Sequence, residues 1–220
     1  MSLLVPLYVH PAEDPDAWRR LITATERTYG VVINPANGPG ETPDPAFAAA
    51  VGALRKAGAR LLGYVDTDYG VRAQEDVIAD WERHRAWYGV DGCFLDRTTA
   101  RQEGLADCRR LVRALRRAGA ETVVLNPGVH PAPGYAKLAD LTVTFEGSWS
   151  TYVSGFSRPA WTARLPAGRI CHLVYGVPLP LVPLAVRTAR ERGATVCGPV
   201  TGELPNPWAG LTPALTETDR

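Results

Sequence analysis

The sequence predicts an α/β fold, a single (β/α)8 barrel of the TIM type, and three observations carry that expectation. Eight short apolar runs alternate with stretches of helical spacing along the 220 residues, the pattern of βαβ units and a parallel sheet. Three helical stretches stop in the same way, at Ala57-Gly58-Ala59, Ala118-Gly119-Ala120 and Arg192-Gly193-Ala194. A glycine there can turn left-handed, end the helix and let a strand start at once. The length suits one barrel, for which about 250 residues is typical and roughly 200 suffices. A doubly wound open sheet is the alternative.

The elements follow in order. Residues 3–9 (LLVPLYV) read as a strand and 16–29 as a helix. Strands at 31–34 and 60–66 flank a helix at 45–58, and a long amphipathic helix at 73–88 leads to a strand at 90–96. A helix at 104–119 and a strand at 122–126 come next, then a weak helix near 134–139 and a strand at 141–146. A short piece at 148–156, a strand at 169–176, a helix at 181–193 and a strand at 194–200 complete eight units. The barrel is assigned to 1–203. The proline-rich segment 204–220 reads as a tail that packs on the barrel or trails from it.

Composition bounds the function. Hydrophobic content of 45% and charged content of 21% are those of an ordinary globular protein, and a net charge of +1 gives no bulk reason to bind nucleic acid or an anionic membrane. Of 24 basic residues 22 are arginine, which suits surface ion pairs. The run Arg109, Arg110, Arg113, Arg116 and Arg117 reads as the solvent face of a helix whose Leu105, Leu111, Val112 and Leu115 pack inward. No apolar stretch is long enough to span a membrane, and the N-terminus lacks a basic leader, so the chain as given reads as cytoplasmic. The cysteines, Cys93, Cys108, Cys171 and Cys197, form no CxxC pair and read as buried reduced thiols. The four histidines show no metal-ligand spacing, and neither a metal nor a cofactor is expected.

In a parallel barrel, function sits at the C-terminal ends of the strands. Those positions hold Tyr8 and His10 after strand one, Asn34 after strand two, and Tyr64, Asp66, Asp68 and Tyr69 at strand three. Asp96 ends strand four, Asn126 strand five, and Glu146 strand six ahead of Trp149, while strand seven carries His172 and Tyr175. Carboxylates, amides, phenols and an indole on one rim suit a carbohydrate. Asp96 and Glu146 are the candidate catalytic pair, each the first charged residue after an apolar strand core. Alternation puts Phe94 with Asp96 on one face and Thr144 with Glu146 on one face. Glycoside hydrolysis needs one carboxyl protonated and one ionised. The alternative is that these acids cap helices or pair with arginine. Asp66 and Asp68, in D-T-D-Y-G, fit turn chemistry. NPANGPG reads as a tight loop rather than a phosphate cradle, and His172 reads as a core residue.

The ordered series VPLYVHP, VVINPANGPG, GYVDTDYGVR, WYGVDGCFLD, LNPG and TVTFEGSW resembles the spherulin-4 family over roughly residues 4–200. The resemblance implies a (β/α)8 barrel with glycoside hydrolase activity, some fungal members cleaving galactosamine-containing exopolysaccharide. It implies Glu146 as general acid and Asp96 as nucleophile or base. The sugar would then be bound by Tyr8, Asn34, Tyr64, Asn126 and Trp149, with His10, Asp66 and Tyr175 as further contacts. In that family strand four usually closes with Asp then Glu. This chain has Arg97 in the second place, which leaves open a sugar-binding barrel without catalysis. A guanidinium there is expected to lower the pKa of Asp96. The oligomeric state is not legible.

Overall fold

The computed structural model describes residues 1–165 and 168–215. Its eight strands are β1 Ser2–Pro6, β2 Thr28–Ile33, β3 Leu61–Asp66, β4 Gly92–Asp96, β5 Thr122–Leu125, β6 Leu141–Ser148, β7 Ile170–Tyr175 and β8 Val196–Pro199. All pair in parallel and in sequence order. Ser2 and Leu3 of β1 pair with Val196 and Cys197 of β8, which closes the ring and sets aside the open sheet.

Six α-helices wrap the ring among the described residues: α1 Pro15–Thr23, α2 Pro45–Lys56, α3 Gln74–Tyr88, α4 Leu105–Arg117, α5 Trp149–Gly155 and α6 Val182–Glu191. Two of them start on Asp-Pro. Asp14 accepts from the Ala17 N–H at 2.9 Å, and Asp44 from the N–H groups of Ala46 and Phe47 at 2.8 and 3.0 Å. Each aspartate satisfies donors that a helix N-terminus leaves free, and proline fits the first turn because it has no N–H to lose. At the other ends Gly58, Gly119 and Gly193 have φ of 83°, 94° and 89°, the left-handed stop expected of them. Between β5 and β6 the weak helix shrinks to one 3-10 turn, Tyr135–Lys137.

The largest differences from the sequence reading fall at two boundaries. The first helix ends at Thr23, not 29; Thr28 and Tyr29 already belong to β2. Their branched and aromatic side chains favour a strand, and Arg60 holds the place by lying 4.5 Å over the Tyr29 ring and donating to its carbonyl at 3.0 Å. The first strand stops at Pro6, not 9. Beyond it the Tyr8 N–H leaves the ladder and donates at 2.7 Å to the carbonyl of Trp208, from the tail.

Alternation along the strands divides the core in two. Leu4, Val32, Leu62, Phe94, Val124 and Leu173 fill the barrel interior. Leu3, Val31, Leu61, Leu95, Val123 and Val174 face the helices. On α4 Leu105, Leu111, Val112 and Leu115 are buried while Arg109, Arg110, Arg113 and Arg117 are exposed, as the spacing requires. Several arginines serve helix ends rather than partner acids. Arg85 donates to the last carbonyl of the α4 cap, Ala118, at 2.8 Å, and Arg55 to Tyr88 and Gly89 at 2.6 Å. A cation there also meets the negative end of the helix dipole. All four cysteines are free and buried. Burial raises the thiols, Cys108 and Cys197 to about 12, so they stay protonated.

The tail runs along the barrel as far as it is described. Trp208, Ala214 and Leu215 are buried, and Arg27 donates to the Leu215 carbonyl at 2.7 Å. Residues 216–220 of the segment read as a tail lie outside the described residues.

A side chain at Gly58 would meet nothing within 4 Å, so Gly58→Ala isolates the cost of the left-handed backbone. It is expected to lower unfolding free energy by about 1–2 kcal/mol, read from urea denaturation. An unchanged midpoint would contradict the glycine-stop account.

Candidate active site

The carboxylates reach the mouth by different routes. On β4 simple alternation suffices: Phe94 and Asp96 point inward, and Leu95 points to the helices. On β6 it does not. Val143 lies in the interior cluster and pairs with Cys171, whereas Phe145 packs on the outer side against Tyr152 and His172. The register slips between them, so Thr144 is an extra residue, and Glu146 pairs with Leu173, an interior position. A bulge re-aims the side chains that follow it. Here it puts Val143 and Glu146, three residues apart, on the same side of the sheet, a placement uniform alternation forbids.

Beyond the strands the backbone stays tied. The Asn126 N–H donates to the Leu95 carbonyl at 2.8 Å, Thr98 N–H to Asn126 at 3.1 Å, Thr67 N–H to Asp96 at 3.0 Å, and Glu146 N–H to Gly128 at 2.9 Å. These bonds prolong the sheet past its formal ends, so the site rides on rigid backbone.

Asn126 joins the acids. Its Nδ2 donates to Asp96 Oδ1 at 2.7 Å and to Glu146 Oε2 at 2.5 Å, and its Oδ1 accepts from the Gly128 N–H at 3.1 Å. The amide oxygen is thus occupied by its own loop, which fixes the nitrogen toward the carboxylates. The two acceptor oxygens can lie no further apart than those two bonds laid end to end. Tyr64 donates its hydroxyl to the other Asp96 oxygen at 2.7 Å, and its ring stacks on Phe94 below. Neither acid caps a helix or pairs with an arginine: Ser148 caps α5, and Asp96 and Glu146 answer to Tyr64, Asn126 and Trp208.

Burial acts on both acids. It raises Glu146 to about 7, helped by the nearby charge of Asp96 and opposed by the hydrogen bonds from Asn126 and the Trp208 indole. Burial also raises Asp96, against the Tyr64 hydroxyl, the Arg97 N–H and the Asn126 amide, which favour its ionised form. Three donors against two is the asymmetry between them. The Tyr8 and Tyr64 hydroxyls are pushed up by burial and by these carboxylates, so they remain donors.

Of the residues expected to bind a ligand, Tyr8, Tyr64, Asn126 and Tyr175 converge with the acids on the interior of the barrel mouth. Asn34 is buried and spends its Oδ1 on the Gly38 N–H of its own tight loop at 2.9 Å. Trp149, in the first turn of α5, packs with Tyr152 on the outer layer. His10 does not join the site: it bonds Asp44 at 3.1 Å and meets the Phe47 ring, because the chain has already turned outward toward α2. His172 is a core residue as expected, bonded through Nδ1 to Tyr152 and held neutral by burial with a pKa of about 3. His84, also neutral at about 4, bonds the Tyr64 carbonyl.

Asp66 and Asp68 form the expected turn, Asp68 N–H donating to Asp66 Oδ1 at 2.8 Å, and both also hold Arg97. The guanidinium is spent there, and Asp96 is raised rather than lowered. The expectation of a depressed Asp96 is therefore corrected: the group of Arg97 that favours its ionisation is the backbone N–H. Trp208 is the residue at the mouth that the sequence does not reveal. Its one signal was a large aromatic in a stretch of prolines and small residues. Among the described residues no group of three or more His, Cys, Asp or Glu is arranged to hold a metal ion.

A closed ring of eight parallel strands, with two buried carboxylates bridged at its C-terminal mouth, defines the class: a (β/α)8 barrel with an acid-pair site. Within that class the chain belongs to spherulation-specific family 4, whose model matches residues 2–196. It is 31% identical over 172 residues to Spherulin-4 of Physarum polycephalum, covering 76% of this chain and 50% of that protein. The chain thus spans about half the length of that relative. Among solved structures it is similar to Aspergillus clavatus Sph3 in complex with GalNAc, at 28% identity and a TM-score of 0.84 over 98% of this chain and 94% of that one. The Bacillus cereus spore cortex-lytic enzyme SleL shares the fold, at 9% identity and a TM-score of 0.59 over 94% and 72% of the two chains.

Because Glu146 holds its proton up to about 7 in the folded state against 4.5 ordinarily, the folded chain binds more protons over that window than the unfolded one. Stability then falls as pH rises through it. Glu146→Gln removes the term and is expected to gain melting temperature relative to wild type between about pH 4.5 and 7. Parallel melting curves for the two proteins across that range would contradict the assignment.

Proposed function

We propose that this chain hydrolyses O-glycosidic bonds in an amino-sugar polysaccharide of the galactosamine type, with retention of anomeric configuration. The single observation that carries the reading is the Asn126 nitrogen shared by Asp96 and Glu146. Retaining enzymes set their carboxyls roughly 5–5.5 Å apart, and inverting ones roughly 6.5–9.5 Å, to leave room for a water. Two oxygens bonded to one nitrogen stand too close together for the longer range. The substrate class rests on family membership and on GalNAc bound to the related Sph3.

The chemistry follows from the donors around each acid. Glu146, protonated near neutrality, gives its proton to the glycosidic oxygen as the bond to the anomeric carbon breaks. Asp96, ionised and held by Tyr64 and Asn126, attacks that carbon and forms a glycosyl ester. Glu146, now ionised, takes a proton from water. The water oxygen displaces Asp96, and both acids return to their starting states. Tyr8, Tyr175 and Trp208 line the mouth, where aromatic faces suit a pyranose ring. Arg97 is engaged with Asp66 and Asp68, away from the acid pair, so its presence does not favour the reading in which catalysis is lost.

The test is a digestion panel of galactosamine polymers, N-acetylated and free, with wild type, Asp96→Asn and Glu146→Gln. Each variant is expected to lose at least about a hundredfold in rate, and NMR of the first product should show the substrate's own anomer. Cleavage that persists in both variants removes the catalytic assignment. Binding without turnover by wild type points to a barrel that only holds the sugar.

A further inference from the structure

We infer that Tyr69 is a sugar-stacking platform at the rim of the barrel mouth, a subsite for a pyranose ring of the same polymer away from the bond that is cut. The inference rests on the proposed function and extends it. Tyr69 is 60% exposed, whereas Tyr88, Tyr135 and Tyr152 are buried. An aromatic ring left in solvent normally moves freely, but this one is held. Its backbone has φ 54°, and its neighbours in space, Asp68 and Arg97, have φ 45° and 49°. Left-handed conformations are uncommon for residues other than glycine, and a cluster of them marks segments held for a purpose.

The holding contacts are specific. The Tyr69 N–H donates to the Arg97 carbonyl at 2.6 Å. Arg97 lies with its guanidinium carbon 5.5 Å from the ring centroid, so one face of the ring is backed by a cation. Arg97 is itself fixed by Asp66, through Nε at 2.9 Å and through Nη2, and by Asp68 at 3.2 Å. Thr67 donates its hydroxyl to the carbonyls of Asp96 and Arg97 at 3.0 and 2.9 Å. The platform is thereby indexed to the backbone of Asp96. A pre-set ring offers stacking without the entropy loss of ordering it on binding. Sugar rings present an apolar C–H face, which suits such a surface.

Galactosamine oligomers of graded length are the probe, with Tyr69→Ala and Tyr69→Phe. Tyr69→Ala is expected to raise KM about tenfold for the longest oligomers and progressively less for shorter ones, with kcat far less affected. Tyr69→Phe keeps the face and should stay near wild type. Melting temperatures should match, because the ring is exposed. The inference is overturned if Tyr69→Ala follows wild type at every length, or if Tyr69→Phe loses as much as Tyr69→Ala. If wild type cuts none of these oligomers, the proposed function fails instead. Calorimetric binding of the same oligomers to wild type and Tyr69→Ala then decides the platform: weaker binding to the variant supports it, and equal binding or none to either protein rejects it.

Discussion

The site depends on one neutral amide. Asn126 Nδ2 has two hydrogens, and each goes to a different carboxylate. Two ionised carboxylates so close in a buried mouth repel one another strongly, since the local dielectric is low. A lysine in that place would relieve the repulsion by ionising both, and no acid would remain. An amide carries no charge to offset, so the pair resolves its conflict by keeping a proton. It keeps it on Glu146, because Asp96 has the Tyr64 hydroxyl and the Arg97 N–H beside the shared amide, where Glu146 has only the Trp208 indole. The two titrate as a coupled pair, and which of them holds the proton follows from which the surrounding donors favour.

That amide works only if its geometry is imposed from outside. The Gly128 N–H occupies the Asn126 oxygen, and the Gly128 carbonyl takes the Glu146 N–H. One short turn after β5 thus orients the bridge and anchors the residue it bridges to. The bulge at Thr144 supplies the remaining freedom. Without it, a strand whose Val143 fills the barrel interior would send Glu146 to the helical layer. Trp208 closes the arrangement from the far end of the chain. Its indole bonds Glu146, and its carbonyl takes the N–H of Tyr8.

These dependencies explain what the sequence disclosed. The barrel was legible because each βα unit carries its own local signals: an apolar run, an amphipathic period and a glycine stop. Asp96, Asn126 and Tyr64 were legible because they sit where a regular strand ends, and period-two alternation aims them correctly. Glu146 is legible from its place at a strand tip, but the route by which it reaches the mouth is not. A bulge leaves no mark in residue type when the inserted residue is another β-branched Thr. His10 was misplaced because the ladder stops at Pro6, four residues earlier, and the chain there bends outward to Asp44. Trp208 was missed because its role is set by tertiary contact alone. No local period marks a single indole in a proline-rich tail as part of a site built from β3, β4, β6 and the turn after β5.

Arg97 shows how far a change of charge sign can be absorbed at such a site. A cation directly after a buried acid would ordinarily be expected to seize it. Here the backbone at 97 turns left-handed, which swings the side chain off the line that Asp96 follows. Asp66 at the end of β3 and Asp68 just after it are in reach, and the guanidinium binds both. Its charge is answered before it reaches the mouth, and what Asp96 receives from it is an N–H. The rim still reaches the centre: the charge of Asp66 adds to the rise of Asp96, and that of Arg97 opposes the rise of Tyr64. Position 97 thus bears on the centre in two ways, through its backbone N–H to Asp96 and through Asp66, whose carboxylate its guanidinium holds.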